Sequence, residues 1–276
     1  MEGRRLVLKG LAGLPLATVF GSAVFKGGRA FAAQDSERLA DPAQAAASVQ
    51  MVSRTIAVGH KVSAALALPR QTPAPAVMLV HEWWGLNDEI KAMAREFADH
   101  GYVALAIDLF DGKIATTPEA AKALVSHVDN TVATETVTAW ISWLRSDRYV
   151  AGKDAAGKVA TLGWCFGGGW ALNAALATPV DATVIYYGSV TQPKEDLAKL
   201  KGPVLGHFGT QDKVIDREMV KGFEDNMAAI GKTPTVYWYN AGHAFANPTG
   251  KNYAKDDTKL AWGRTMAFLS ANLIEK

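Results

Sequence analysis

The sequence predicts an α/β fold: a mostly parallel central sheet flanked by helices, with an antiparallel hairpin ahead of it. Three observations carry this reading. From Ala76 onward, short continuous apolar runs alternate with stretches of helical periodicity, the pattern of strand–helix–strand units whose strands are covered on both faces. The chain has 276 residues, 49% hydrophobic and 20% charged, which is enough to bury an α/β core and unlike a disordered or fibrous composition. No internal repeat or break in composition divides residues 53–276.

The N-terminus reads as an address rather than as part of the fold. Arg4, Arg5 and Lys9 precede an apolar run from Gly10 to Phe25, and Lys26 and Arg29 lead into Ala30-Phe31-Ala32. Basic, apolar and small-residue parts in that order form an export signal. The paired arginines resemble a twin-arginine signal, which implies export of a folded chain to a bacterial periplasm or beyond. An uncleaved anchor helix is the alternative, against which the apolar run is shorter than the ~20 residues that span a bilayer. Residues 1–32 are therefore expected to engage the export machinery, with no stable membrane anchor left after cleavage. They carry five basic residues against Glu2, so a whole-chain charge of +2 leaves the remainder at −2. The apparent basicity belongs to the signal, and nothing in the mature chain points to a nucleic-acid partner. Residues 33–52, rich in Ala, Gln, Asp and Ser, read as a flexible tail, and 53–276 as the domain.

Within the domain, Thr55–Val58 and Val62–Leu68 flank Gly59-His60 and predict the hairpin. Strands follow at Ala76–Val80, Val103–Ile107, Val159–Leu162, Ala182–Tyr186, Val204–Phe208 and Thr235–Tyr239. Helices are expected near 88–99, 118–128, 131–145, 168–177, 216–230 and 256–273. Val137, Trp140, Ile141 and Leu144 fall at helical spacing, as do Trp262, Met266, Leu269 and Leu273, so both stripes face the core.

The most informative segment is Lys158–Leu172, in which an apolar strand runs into Gly163-Trp164-Cys165-Phe166-Gly167 and then a helix. This is the cysteine version of the G-x-S-x-G nucleophile elbow. A sharp strand-to-helix turn would bring side chains two residues either side of the nucleophile into collision, and glycine removes them. The helix N-terminus then favours a thiolate and a developing oxyanion. The bland reading is that Cys165, the single cysteine, is a small buried hydrophobe. A lone cysteine excludes an intrachain disulfide framework and a multi-cysteine metal site. Downstream, Asp212 and His243 each follow a predicted strand, in the order nucleophile, acid, histidine. His243 would take the thiol proton and Asp212 would orient it. Asp216 fits a helix N-cap better, His207 a satisfied core histidine, His60 a hairpin turn, and His100 and His127 helix ends. No histidine pairing suggests a metal site, and no cofactor is expected.

With these residues in hand, the sequence resembles the dienelactone hydrolase family of α/β-hydrolases over most of residues 55–272. Five pieces carry the resemblance: His81-Glu82-Trp83-Trp84-Gly85-Leu86-Asn87, the stretch Ala94–Phe110, the elbow around Cys165, Tyr186-Tyr187-Gly188, and Ala241-Gly242-His243-Ala244-Phe245. The resemblance implies that Glu82 interacts with the nucleophile region and helps convert a resting thiol into thiolate. It also implies that the backbone N–H groups of Trp83 and Phe166 form the oxyanion hole. Trp84, Tyr187, Phe245 and Asn247 are the candidate substrate-binding residues, the adjacent tryptophans walling an apolar pocket. One departure stands out. Where well-known members carry a carboxylate-binding arginine four residues after the histidine, this chain has Asn247. An amide cannot pair a carboxylate as a charged, forked guanidinium does. The expected reaction is hydrolysis of a lactone or small carboxylic ester through a thioester, and a neutral substrate fits as well as a charged one. The rivals are a thiol redox protein, a non-catalytic binding module and acyl transfer to an alcohol or amine.

Overall fold

The unbroken apolar runs are strands covered on both sides. The computed structural model describes residues 42–150 and 157–274. Within them, Ala76–Val80 (β3), Val103–Ile107 (β4), Val159–Trp164 (β5), Ala182–Tyr186 (β6) and Val204–Gly209 (β7) run parallel and are buried at every residue. Thr235–Tyr239 (β8) pairs parallel to β7 at one edge. Gln50–Thr55 (β1) and Lys61–Ala67 (β2) form the antiparallel hairpin, and β2 lies antiparallel to β4. The sheet order is β1-β2-β4-β3-β5-β6-β7-β8. Chain order leaves β3 for β4 on one side and for β5 on the other, so the crevice beyond the carboxyl ends of β3 and β5 is the switch point where such sheets bind ligands.

Alternate residues of each strand enter two separate cores. Met78 and Val80 join a cluster with Val137, Trp140 and Leu144 of Asn130–Ser146 (α4) and Phe223 of Arg217–Ala229 (α7). Val77 and Leu79 join the opposite cluster with Phe97 of Asp88–Asp99 (α2) and Leu269 of Lys255–Leu273 (α8). Each such side chain, fully removed from water, contributes roughly 1.5–3 kcal/mol. The helix starts follow side-chain chemistry. Asn87 caps α2, Thr117 caps Pro118–Ser126 (α3), Asp129 caps α4 and Asp216 caps α7, each accepting a backbone N–H of the first turn. Asp216 thus has the N-cap role the sequence indicates.

Three expectations are corrected. The first hairpin strand lies at β1, earlier than Thr55–Val58. The turn occupies the following residues, where Ile56 N–H donates to the His60 carbonyl and Gly59 takes a positive φ of 78°. β8 is not covered on both faces, because as an edge strand it exposes Thr235 and half-exposes Val236, Tyr237 and Trp238. A four-residue helix, Lys194–Leu197 (α6), has no counterpart in the sequence reading. The export signal read over 1–32 lies outside the described residues. So does most of 33–52, but its described part holds Pro42–Ala47 (α1), packed on α2, and the start of β1. No helix among the described residues is long and apolar enough to cross a membrane.

Candidate active site

The site grows from the turn between β5 and Phe166–Ala177 (α5). Cys165 stands there with φ 52° and ψ −117°, a region L-residues rarely occupy. A Cβ on Gly163 would strike the Gly167 carbonyl, and one on Gly167 would strike the carbonyl oxygens of Val80 and His81. The glycine spacing is therefore a packing requirement of the elbow against the end of β3. The strained backbone is pinned on both sides. Cys165 N–H donates to the Tyr186 carbonyl at 3.0 Å, and its own carbonyl accepts from Gly168 N–H at 3.0 Å. Cys165 holds the N-cap position of α5 but makes no capping bond.

Its sulfur is committed elsewhere. Cys165 Sγ lies 3.1 Å from His243 Nε2, and His243 Nδ1 lies 2.8 Å from Asp212 Oδ2. Asp212 follows β7 and His243 follows β8, so adjacent parallel strands deliver both to the end of the sheet where α5 begins. The second oxygen of Asp212 accepts the N–H groups of Val214 at 2.7 Å and Ile215 at 3.0 Å. Burial alone would raise the Asp212 carboxyl, but the His243 bond and these two amides outweigh it and hold it below its ordinary value. Burial alone would likewise lower His243. Its bonds to Asp212 and Cys165 prevail, and its pKa is pushed up to about 10.

The loop after β3 supplies the opposite wall. Glu82 is buried, and its carboxyl is raised by desolvation, partly offset by two hydrogen bonds. Tyr187 Oη–H donates to Oε1 at 3.2 Å and Asn247 Nδ2–H donates to Oε2 at 2.7 Å. Asn247 Oδ1 accepts from Thr249 N–H at 3.0 Å and from Thr249 Oγ–H at 2.9 Å, which fixes the amide so that its nitrogen faces Glu82. The sulfur's hydrogen-bond partner is thus His243, while the oxygens of Glu82 are taken by Tyr187 and Asn247. Among the described residues, neither the Trp83 N–H nor the Phe166 N–H has a backbone or side-chain acceptor. Trp83 and Trp84 are half-buried and meet edge-on with centroids 5.0 Å apart.

The structure therefore brings Cys165, His243 and Asp212 into one hydrogen-bonded line, with Glu82, Trp83 and Phe166 on neighbouring segments. It departs from the expected substrate-binding set. Tyr187 and Phe245 are fully buried, ring against ring at 5.4 Å, so they form the floor behind His243 and Glu82 instead of a pocket wall. Asn247 has both polar atoms occupied within the protein, so it clamps Glu82 instead of reaching outward. Of the four, Trp84 and Asn247 are partly exposed.

The other histidines have local partners. His207 is buried between Tyr239 Oη at 2.8 Å and Thr265 Oγ1 at 3.0 Å. His60 pairs with Asp111 at 2.7 Å, and His127 meets the Ala123 carbonyl at the end of α3. The roles of two participants escaped sequence reasoning. His81 lies fully buried behind Glu82, and Thr249 orients Asn247. The signals for His81 were its place at the head of the segment running to Asn87 and a titratable residue closing an apolar strand. No group of three or more His, Cys, Asp or Glu side chains among the described residues is placed to hold a metal ion.

Comparison with known proteins locates this geometry. Residues 62–273 match the dienelactone hydrolase family. A Saccharolobus solfataricus protein assigned as a carboxymethylenebutenolidase is 32% identical over 249 residues, covering 76% of this chain and 94% of the relative. The carboxymethylenebutenolidase of Pseudomonas putida is 29% identical over 227 residues, covering 77% of this chain and 92% of the relative. The fold is shared with the crystal structure of a dienelactone hydrolase-like promiscuous phosphotriesterase from metagenomic libraries. That match has a TM-score of 0.71 at 23% identity and covers 80% of this chain and 98% of the other.

Proposed function

The chain belongs to the dienelactone hydrolase family and is an ester or lactone hydrolase, and we propose that it works through Cys165, His243 and Asp212 by way of a thioester acyl-enzyme. The observation that carries this reading is the line Sγ–Nε2 at 3.1 Å and Nδ1–Oδ2 at 2.8 Å, placed on a strained elbow beside two unsatisfied N–H groups. His243 holds the proton of Cys165, and the sulfur attacks the substrate carbonyl carbon. The carbonyl oxygen takes the negative charge and is received by the N–H groups of Trp83 and Phe166. The carbon–oxygen bond to the leaving group breaks as His243 gives it the proton, leaving a thioester. Water then attacks, His243 takes its proton, and the carbon–sulfur bond breaks to release the acid and restore Cys165. Asp212 fixes the imidazole tautomer and stabilises its charged form throughout.

The substrate class follows from what the wall offers. Asn247 carries no charge and is occupied by Glu82 and Thr249, while Trp83 and Trp84 present apolar surface. A neutral lactone or small ester suits this site better than a carboxylated one. Hydrolysis of phenyl acetate, a neutral unsaturated lactone and a carboxylated dienelactone by the mature chain and by Cys165→Ala tests the assignment. Turnover is expected on the neutral members and is expected to fall by several orders of magnitude in the variant. Equal rates in both proteins would remove Cys165 from the mechanism.

The N-terminal composition supports export through a twin-arginine signal in residues 1–32, with the mature enzyme acting in the periplasm or outside the cell. Fractionation of bacteria expressing the full chain is expected to find the processed protein outside the cytoplasm. The Arg4→Lys, Arg5→Lys double variant is expected to stay inside as precursor. Identical distribution of the two chains counts against this route.

A further inference from the structure

Resting on the oxyanion role given above to Trp83 and Phe166, we infer that His81 is the residue that positions this pair of N–H donors. His81 follows β3 directly and is fully buried. The backbone N–H of Leu109 meets its Nε2 at 3.1 Å, so that nitrogen is an acceptor. The ring proton therefore sits on Nδ1, which donates to the Glu82 carbonyl oxygen at 2.6 Å. Geometry alone sets this tautomer.

The Glu82 carbonyl and the Trp83 N–H belong to one peptide unit. The unit is trans, so its C=O and N–H point in opposite directions. Holding the carbonyl against His81 turns the Trp83 N–H away from the core and leaves it free. Gly85 N–H donates to the same carbonyl at 3.3 Å and steadies it from the far side of the turn. The second donor is tied to the same ring. Phe166 stacks on His81 with centroids 5.9 Å apart and planes 20° from parallel, and Phe110 packs on both. Gly167, next in α5, abuts the His81 carbonyl so closely that a Cβ would not fit. One neutral imidazole thus orients the peptide bearing one donor and supports the residue bearing the other. An apolar side chain of similar size would fill the space but make neither hydrogen bond.

Two variants separate the bonds. Asn can place an N–H where Nδ1–H stands and keep the bond to the Glu82 carbonyl. Gln can place an acceptor where Nε2 stands and keep only the bond from Leu109. His81→Gln is expected to lower kcat about 10- to 100-fold with KM within about twofold, part of the loss seen when an oxyanion donor is removed outright. His81→Asn is expected to recover most of that loss. A trifluoromethyl ketone, which adds Cys165 Sγ to its carbonyl and leaves an oxyanion, is expected to lose affinity in step with kcat. Alkylation of Cys165 by iodoacetamide develops no oxyanion and is expected to proceed at the unmodified rate in both variants.

Equal kcat in all three proteins overturns the proposal. So does alkylation that slows together with kcat, since that marks a general disturbance of the elbow. If a variant does not fold, imidazole 15N shifts of the unmodified protein decide: protonated Nδ1 with bare Nε2 is expected, and the reverse tautomer overturns the proposal. Cys165→Ala, assayed alongside, keeps its rate only if the nucleophile assignment itself is wrong, which is distinguishable from a rate kept by His81→Gln.

Discussion

At the scale of the residue, the order Cys165, Asp212, His243 was legible because the elbow glycines and the ends of apolar strands leave local marks. Tyr187, Phe245 and Asn247 were legible only as residues near the site. Their roles depend on contacts such as Tyr187 and Asn247 with Glu82, 105 and 165 residues apart in the chain, which no local pattern encodes. The Glu82 clamp makes a prediction of its own. Asn247→Leu leaves Oε2 of a buried carboxylate without its donor and is expected to cost about 1–3 kcal/mol. Because the Asn247 bond favours the charged carboxylate, the deficit is greatest at neutral and alkaline pH and shrinks as acid protonates Glu82. Urea unfolding of the two proteins at pH 5 and pH 8 checks it, and an equal deficit at both counts against a charged Glu82. Backbone strain gathers in the same place. Of the four non-glycine residues with positive φ among the described residues, Cys165, Tyr187 and Ala244 are at or beside the site.

At the scale of the element, β3, β4, β6 and β8 lie where the sequence placed them. Four- or five-residue apolar runs bounded by polar residues admit little else. The hairpin shifted because β1, with alternating exposure, lacks a continuous apolar run and depends on its pairing with β2 for definition. β8 shows the converse: its aromatic composition reads as a buried strand, yet cations cover part of it. Arg264 lies over Tyr237 at 3.9 Å and Arg217 over Trp238 at 4.6 Å; these successive residues stand on opposite faces, so a cation partly shields each face of the edge strand. The junction of α4, β5 and β6 offers a quantitative test. Asp181 accepts Arg145 at 2.9 Å and the Val159 N–H at 2.9 Å. Asp181→Ala leaves that strand-end amide unpaired and is expected to cost about 1–3 kcal/mol. Asp181→Asn can keep the amide bond and lose only the partly exposed charge pairs with Arg145 and Lys158, so it is expected to cost less than Asp181→Ala, about 1 kcal/mol. Thermal unfolding of both variants distinguishes the amide from the ion pair.

At the scale of the whole molecule, two histidines pull the pH dependence of stability in opposite directions. Burial, with Arg264 nearby, takes His207 down to about 3, so its contribution is full above about 6.5 and is lost as pH falls and the unfolded chain takes up a proton. His243, raised to about 10, contributes fully below about 6.5 and loses that contribution as pH rises through its folded value. Asp212, held below its ordinary value, adds to the acid-side loss. The unfolding midpoint is therefore expected to be highest in the range of about pH 6–7. His207→Gln should flatten the acid limb and leave the alkaline limb unchanged. A midpoint that rises steadily to pH 10 would contradict the His243 assignment. The sheet order described earlier also bears on how the enzyme comes into being. The residues of the site hang from β3, β5, β6, β7 and β8, each joined to its neighbour by a crossover and none by a hairpin. Such pairings close long loops and form slowly compared with helices. On dilution from denaturant, far-ultraviolet circular dichroism should recover first, and esterase activity only once β8 has docked. Recovery of turnover would then time the last step of folding, the step that the export route proposed above requires to be finished in the cytoplasm.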